Sequence, residues 1–507
     1  MAIAKYAHVL TTSTSNDLQS NDANIFDEDN YSSFTKKAES NGITYDSSTG
    51  EFTVDEDGTY FVIVTVQASL TSIIAFDSIR CRVKLNGTEV EAGIFDFRET
   101  YGVTESTFQT LVAATSGQKI TITLHDPHSS NHGLKAEKFS SVLIFKTEAG
   151  FGRIARTSAS NNSAAPYNAY ATSSGGATVT NFSTDGTFFE KPSAGAGAMG
   201  FSSDVNALLF FNNYLGGDGG SPPVFLTYRI DNTPFNYTTG KPAPSQPVEA
   251  TIMSANSFSA NSSGTLEFDA NGVSFNVTCN TSSSITAIGM PSNVDYIWRK
   301  TENHGDTESA GAEFNVFATA NYSGAGYSIT GSESGITFTS GSGLVTLGKD
   351  GAYAIFTNFY GLVGGDSDFM YKIKHNSSVA DNIFFHMDAS QDPADRSVVT
   401  VITGAVAGDT IQFFASGTNN SLEARKGAGF VIMQLAAASS TPTVCADGLP
   451  LFNRDPTVFN PYNNCNQYTL ETITQPPFIL GARGYGITRK NDTALVVDPG
   501  AKSNPDD

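Results

Sequence analysis

The sequence predicts an all-β protein of two to three tandem jelly-roll sandwiches, followed by an irregular C-terminal arm. Three observations predict this. Short runs rich in Val, Ile, Phe, Tyr and Thr alternate with Gly- and Asn-centred turns, and no amphipathic helix is evident. Charged residues make up only 16% of the chain, and Gly, Ser, Thr and Asn, common at turns and on polar strand faces, stand in their place. A spaced pattern of glycines also recurs far along the chain, as expected of a repeated unit.

The first unit is assigned to residues 1–148. "EFTVDEDGTYFVIVTV" alternates at Phe52 and Val54, turns at Asp57-Gly58, and is apolar or β-branched on both faces from Tyr60 to Val66. A strand apolar on both faces is covered on both sides. One cover is the unit's own second sheet, and the other is a neighbouring domain or subunit. "IRCRVKLNGTEVEAG" reads as a hairpin about Asn86-Gly87. Two further strands flank Ser116-Gly117, and "FSSVLIFKT" closes the unit.

The repeat pairs "GITYDSSTGEFTVDEDGTYFVI" with "GITFTSGSGLVTLGKDGAYAIF". Gly42, Gly50, Gly58 and Tyr60 become Gly335, Gly343, Gly351 and Tyr353, each 293 residues on. Asn86 then matches Asn376, Gly117 matches Gly408 and Val142 matches Phe430, with slightly smaller offsets. Ordered landmarks with drifting offsets indicate loop insertions within one shared fold. This places a second such unit at 301–438.

The interval 149–300 has the length of another unit. "VFLTYRIDNTPF" resembles the hairpin around Asn86, and "SSGTLEFDANG" resembles "AGDTIQFFASG", setting Gly264 against Gly408. "DYIWRK" reads as its closing strand. The glycine ladder is reduced to "GGATVTNFSTDGTFF", so a diverged third copy and an unrelated β-sandwich both fit. From 439 to 507 the chain is rich in Pro, Asn and Asp yet keeps Phe, Tyr, Leu and Ile. It reads as an extended arm that docks on a partner or on its own body.

"NYSSFTKKAESNGITYDSSTGEFTVDEDGTYFVIVTV" resembles the tumour necrosis factor and complement globular-head superfamily. The matching positions are Asn41, Gly42, Tyr45, Asp46, Gly50, Phe52, Gly58, Tyr60 and Phe61. The later unit matches at Gly335, Phe338, Gly343, Gly351 and Tyr353, with Ser334 in place of the Asn and Val345 in place of the Phe. The resemblance implies a jelly roll that packs as a threefold trimer and binds a partner without catalysis. Three units in one chain allow a pseudo-threefold monomer or an elongated homotrimer. The doubly apolar strand favours the homotrimer.

The formal net charge of −21 argues against nucleic acid and anionic membrane surfaces, which need clustered Lys and Arg. No stretch has the length and apolarity of a membrane-spanning helix. "MAIAKYAHVLTTSTS" lacks the apolar core of a secretory signal. The expected setting is a virus particle assembled in a host cytoplasm, with an extracellular location as the alternative.

Chemistry is sparse. His125, Asp126 and His128 cluster in "LHDPH", and His386 with Asp388 in "FFHMD"; metal binding competes there with a solvated turn and an exposed strand face. "LGGDGG" (215–220) and "VGGDSD" (363–368) are acidic loops that suit Ca²⁺ or simple flexibility. Cys445 and Cys465 are placed to bridge in an oxidising setting or to remain thiols, and Cys81 reads as a core residue. Sequons at Asn86, Asn236 and Asn376 arise readily in so Asn- and Thr-rich a chain. No catalytic or dinucleotide motif appears, and no cofactor is expected. The expected function is a non-enzymatic virion protein: a capsid decoration, fibre or spike engaging other virion proteins through its arm. A host-surface glycan or protein would be its ligand. The alternatives are a surface adhesin and, less favoured, a polysaccharide-degrading enzyme.

Overall fold

A computed structural model shows an almost wholly β chain in two compact units, residues 1–438 and 439–507. It describes residues 5–18, 22–69, 78–96, 104–125, 133–156, 160–162, 180–185, 188–190, 199–217, 224–230, 233–240, 248–258, 267–271, 277–279, 283–291, 294–301, 307–308, 313–321, 329–363, 367–387, 394–417, 422–424 and 428–437, and in the second unit 443–444, 468–469, 486–490 and 494–498.

The first unit holds three jelly rolls. In the first roll, the inner sheet runs Gly58–Ser69, Ser141–Lys146, Tyr6–Thr11, Lys36–Asn41, with Thr104–Ala114 on the other side of Gly58–Ser69. The outer sheet runs Ile43–Asp46, Glu51–Val54, Lys119–His125, Ser78–Leu85, Thr88–Asp96. The third roll repeats both orders. Its inner sheet is Gly351–Val363, Gly429–Ala437, Tyr296–Thr301, Ile329–Ser334, with Ala394–Ala405 flanking. Its outer sheet is Thr337–Thr339, Leu344–Thr346, Thr410–Gly417, Ser367–His375, Ser378–Met387.

The middle segment repeats the inner strand order. Val205–Gly217, Ser284–Met290, Phe151–Arg156 and Thr180–Thr184 follow the same inner order, with Val248–Phe258 flanking. Val224–Ile230 pairs with Thr233–Gly240 and with Glu267–Asn271, as the two resembling stretches predict. The hairpins of all three rolls carry a β-bulge at the same place, between Val83 and Lys84, Tyr228 and Arg229, and Ile373 and Lys374. A shared bulge is a feature of lineage and design more than of chance. The missing glycine ladder has a counterpart too: Phe189–Glu190 pairs with Gly200–Phe201 as a separate ribbon.

One boundary moves. "DYIWRK" does not close the middle roll; Tyr296–Thr301 opens the third, lying between Gly429–Ala437 and Ile329–Ser334. First and last strands are neighbours in the inner sheet of every roll, so both are equally apolar and composition alone does not separate opener from closer. In the second unit Gly486–Lys490 pairs with Ala494–Asp498 and Thr443–Val444 with Tyr468–Thr469.

The evenly spaced glycines acquire a specific cause. Gly50 and Gly343 have φ of +65° and +62°, and a side chain at either would collide with the amide of Asn24 or Asn315. Each Asn bridges its roll: its Oδ1 accepts from Phe26 N or Phe317 N, and its Nδ2 donates to Thr49 O or Ser342 O. Asn30 and Asn321 in turn donate to the carbonyls of Asn24 and Asn315. The repeated motif is therefore also "NIFDEDN" against "NVFATAN".

Candidate functional site

The period-two alternation of the long inner strands sorts their side chains between two environments. In Gly58–Ser69, Tyr60, Val62, Val64 and Val66 fill the first roll's own core with Phe52, Cys81 and Ile120. Phe61 and Ile63 point the other way, into a core shared with Leu208 and Phe210 of the middle roll and Ala354 and Phe356 of the third. In the third roll Tyr353 and Ile355 likewise face inward, while Ala352, Ala354 and Phe356 join the shared core. Ring centroids of Phe61 and Phe210 lie 4.4 Å apart, and those of Phe210 and Phe356 5.4 Å apart. The second face of the doubly apolar strand is thus covered by sister rolls of the same chain. The reason for expecting a homotrimer is met within one polypeptide.

The contacts run in one rotary sense. Thr88–Asp96 of the first roll lies beside Val248–Phe258 of the middle roll, Thr233–Gly240 of the middle beside Ala394–Ala405 of the third, and Ser378–Met387 of the third beside Thr104–Ala114 of the first. This is a head-to-tail ring that closes after three members. Burying each large apolar side chain at its centre contributes roughly 1.5–3 kcal/mol, which makes the shared core a principal source of cohesion between the rolls.

One end of the ring is polar though buried. Thr65 and Thr107 hydroxyls are 2.8 Å apart, and Thr107 Oγ1 donates to Ser397 O at 3.0 Å. Ser141 Oγ donates to Val399 O at 3.2 Å. Gln109 Nε2 donates to Ser284 Oγ at 3.1 Å, and Thr286 Oγ1 donates to Gln109 Oε1 at 2.9 Å. These hydroxyls and the Gln109 amide retain partners after removal from water, as most buried polar groups do.

At the strand-opening corners of the first and third rolls a tyrosine is held in the same way. Tyr60 OH donates to Glu56 O, and Tyr353 OH to Lys349 O, both at 2.8 Å. Burial is the main cause that pushes both phenols up to about 12. The neighbouring ion pairs have opposite polarity: Lys5 meets Asp55 and Glu56, whereas Asp295 meets Lys349. Hydrogen bonds from Lys146 and then Lys5 hold the Glu56 carboxyl below its ordinary range.

The sequence-predicted sites do not converge. His125 ends Lys119–His125 opposite Arg80 in the outer sheet; Asp126 and His128 lie outside the described residues. His386 pairs opposite Asp368 along one hairpin, and Asp388 lies outside the described residues. Of the acidic loops, Leu215–Gly217 and Val363 belong to inner strands and Ser367–Asp368 to an outer one, the intervening residues being outside the described set. Among the described residues no three His, Cys, Asp or Glu are grouped to hold a metal. Cys81 is buried in the first core, whereas Cys445 and Cys465 lie outside the described residues. Asn86 and Asn376 serve as turn residues with φ of +49° and +48°, their Oδ1 atoms accepting from Lys119 N and Thr410 N at 2.9 Å. Asn236 lies in the middle hairpin. Among the described residues no helix is long and apolar enough to cross a membrane.

No family model matches the chain, and no curated protein matches it. Solved structures similar to it include Eiger TNF from S. frugiperda, 12% identical, covering 29% of this chain and 96% of that one with a TM-score of 0.22. They also include PNGF-II, 8% identical, covering 74% and 98% with a TM-score of 0.23. A third is the triple jelly roll of a turret assembly in an archaeal virus, 9% identical, covering 84% and 91% with a TM-score of 0.17. Likenesses at this level carry no argument about function, so the jelly-roll fold rests on the strand pairing described above.

Proposed function

We propose that the chain is a non-enzymatic structural and binding protein of a virus particle, a decoration, fibre or spike that supplies a complete jelly-roll trimer as one polypeptide. The observation that carries this reading is the shared core, in which Phe61, Phe210 and Phe356 from three rolls meet and the ring closes without a second chain. Such a body offers three outer sheets and their loops to ligands, while its middle is consumed by packing. The second unit is the part available to other virion proteins. The virion setting extends this architecture by analogy, because a fold does not fix a function. The assembly is read as a single chain of three rolls in place of the expected homotrimer.

The test is to purify particles from an infected culture by density gradient and identify their proteins by mass spectrometry. The chain is expected to band with the particles and to resist a salt wash. Recovery from the cell surface or the particle-free medium alone would overturn the virion reading.

A further inference from the structure

The three rolls present similar apolar faces to one another. At the centre, Ile63, Phe210 and Phe356 occupy matching positions, each opposite a residue of the flanking strand: Gln109, Met253 and Val399. Apolar burial is non-directional. Alone it does not decide which roll follows which, or whether the third member comes from the same chain or from another copy. Domain exchange between copies is a ready alternative for such a chain.

We propose that Gln109 fixes the circular order of the rolls and keeps closure within one chain. The inference rests on the closed ring and is independent of the virion setting. Gln109 is fully buried, as are Ser284 and Thr286 of the middle roll, and the two hydroxyls take up both ends of its amide. The residues matching Ser284 and Thr286 are Ser141 and Leu143 in the first roll and Gly429 and Val431 in the third. Only the middle roll offers two hydroxyls in that register. Set against the third roll, both amide ends of Gln109 would be buried facing a glycine and a valine. At the interface between third and first rolls the same geometry recurs with an apolar Val399, and there Ser141 turns to the Val399 carbonyl instead. The two interfaces therefore share one frame and differ in one directional contact. A single buried polar group that selects among nearly equivalent packings is a known specificity device.

The experiment uses the full chain, unfolded in denaturant and refolded at several concentrations, with mass read by light scattering and native mass spectrometry. Wild type is expected to return to the mass of one chain, which separately checks in-chain closure. Gln109→Met copies the middle roll's residue but strands the two hydroxyls. The triple change Gln109→Met, Ser284→Ala, Thr286→Val removes them as well. The triple variant is expected to fold, with a melting profile near wild type, yet to return exchanged dimers and larger rings whose share rises with concentration. A triple variant that refolds only to single chains, as wild type does, would overturn the proposal. So would one that fails to fold, since the contact would then supply stability and not order.

Discussion

Lys349 Nζ lies 2.5 Å from the Asp295 carboxylate, and at the matching corner of the first roll Lys5 and Glu56 make the same pair with the charges exchanged. The positions correspond because Tyr6 and Tyr296 open their rolls, and because Tyr60 and Tyr353 both bond back to the acidic or basic member. Asp295 is 3% exposed while Lys349 is mostly in solvent. Lys349→Met therefore leaves a buried carboxylate without its cation and is expected to cost about 1–3 kcal/mol. Lys349→Met combined with Asp295→Asn should recover part of that loss. Urea midpoints for the four proteins of the cycle check this, and equal losses in single and double variants would refute it.

Phe210 touches the rings of both Phe61 and Phe356. Phe210→Ala opens a cavity at the junction and is expected to destabilise the body by about 3–5 kcal/mol. Because the cavity is shared, the loss should appear as one lowered transition for all three rolls. Scanning calorimetry that showed two rolls melting as in wild type would contradict the shared core.

Asn376 and Ser377 form a two-residue turn with φ of +48° and +66°, while the first roll places Gly87 at +79° after Asn86. The third roll therefore holds a serine where glycine is unstrained. Ser377→Gly is expected to stabilise the chain by about 1 kcal/mol, and Gly87→Ser to destabilise it by a similar amount. Thermal midpoints moving in the same direction for both changes would count against this account.

Asp409 accepts from Asn376 Nδ2 at 2.7 Å, from Val406 N at 3.0 Å and from His375 Nε2 at 2.9 Å. The Asn376 bond is the main cause that lowers its carboxyl below the ordinary range. A lowered folded-state pKa gives stability that is present above the unfolded value and lost as pH falls through the folded one. Asp409→Asn should therefore lower stability at neutral pH, where the bonds to the ionised carboxylate are lost, and flatten the acid limb of the stability profile below about pH 4. An acid limb unaltered by the substitution would show the contact to be inert.

Residues 1–438 form a compact unit by themselves, so removing residues 441–507 should leave a folded, soluble body. If the second unit engages other virion proteins, the truncated chain will fail to join particles. Incorporation at the wild-type level would refute the role.

Much of the fold was legible in the sequence because turns and strands are local. Asn86-Gly87 fixed a hairpin, and the 293-residue offset identified the first and third rolls. The middle roll was harder, since its identity lies in pairing order and a shared bulge more than in its residues, of which only two stretches resemble the other rolls. The Asn24 and Asn315 bridges are not legible in sequence, although "NIFDEDN" and "NVFATAN" stand in matching places. Asparagine is common in this chain, and the carbonyls that accept from the two amides lie 25 and 27 residues on. The apolar second face of Gly58–Ser69 announced an interface, but its occupant was not legible. Phe61 asks only for an apolar neighbour, and Phe210 of the same chain answers as well as a second copy would. Gln109 was silent for the opposite reason: its two hydroxyl partners lie some 175 residues away.

Short connections at residues 147–150 and 291–295 join consecutive rolls, so the ring is closed covalently at two of its three seams. Three separate chains would part on dilution, whereas tethered rolls face one another at an effective concentration that dilution does not alter. In a trimer of identical chains every substitution is also written three times around the axis. Here it is written once. Lys5 and Asp295 could exchange sign, and Gln109, Met253 and Val399 could diverge, because each roll answers only to its own neighbours.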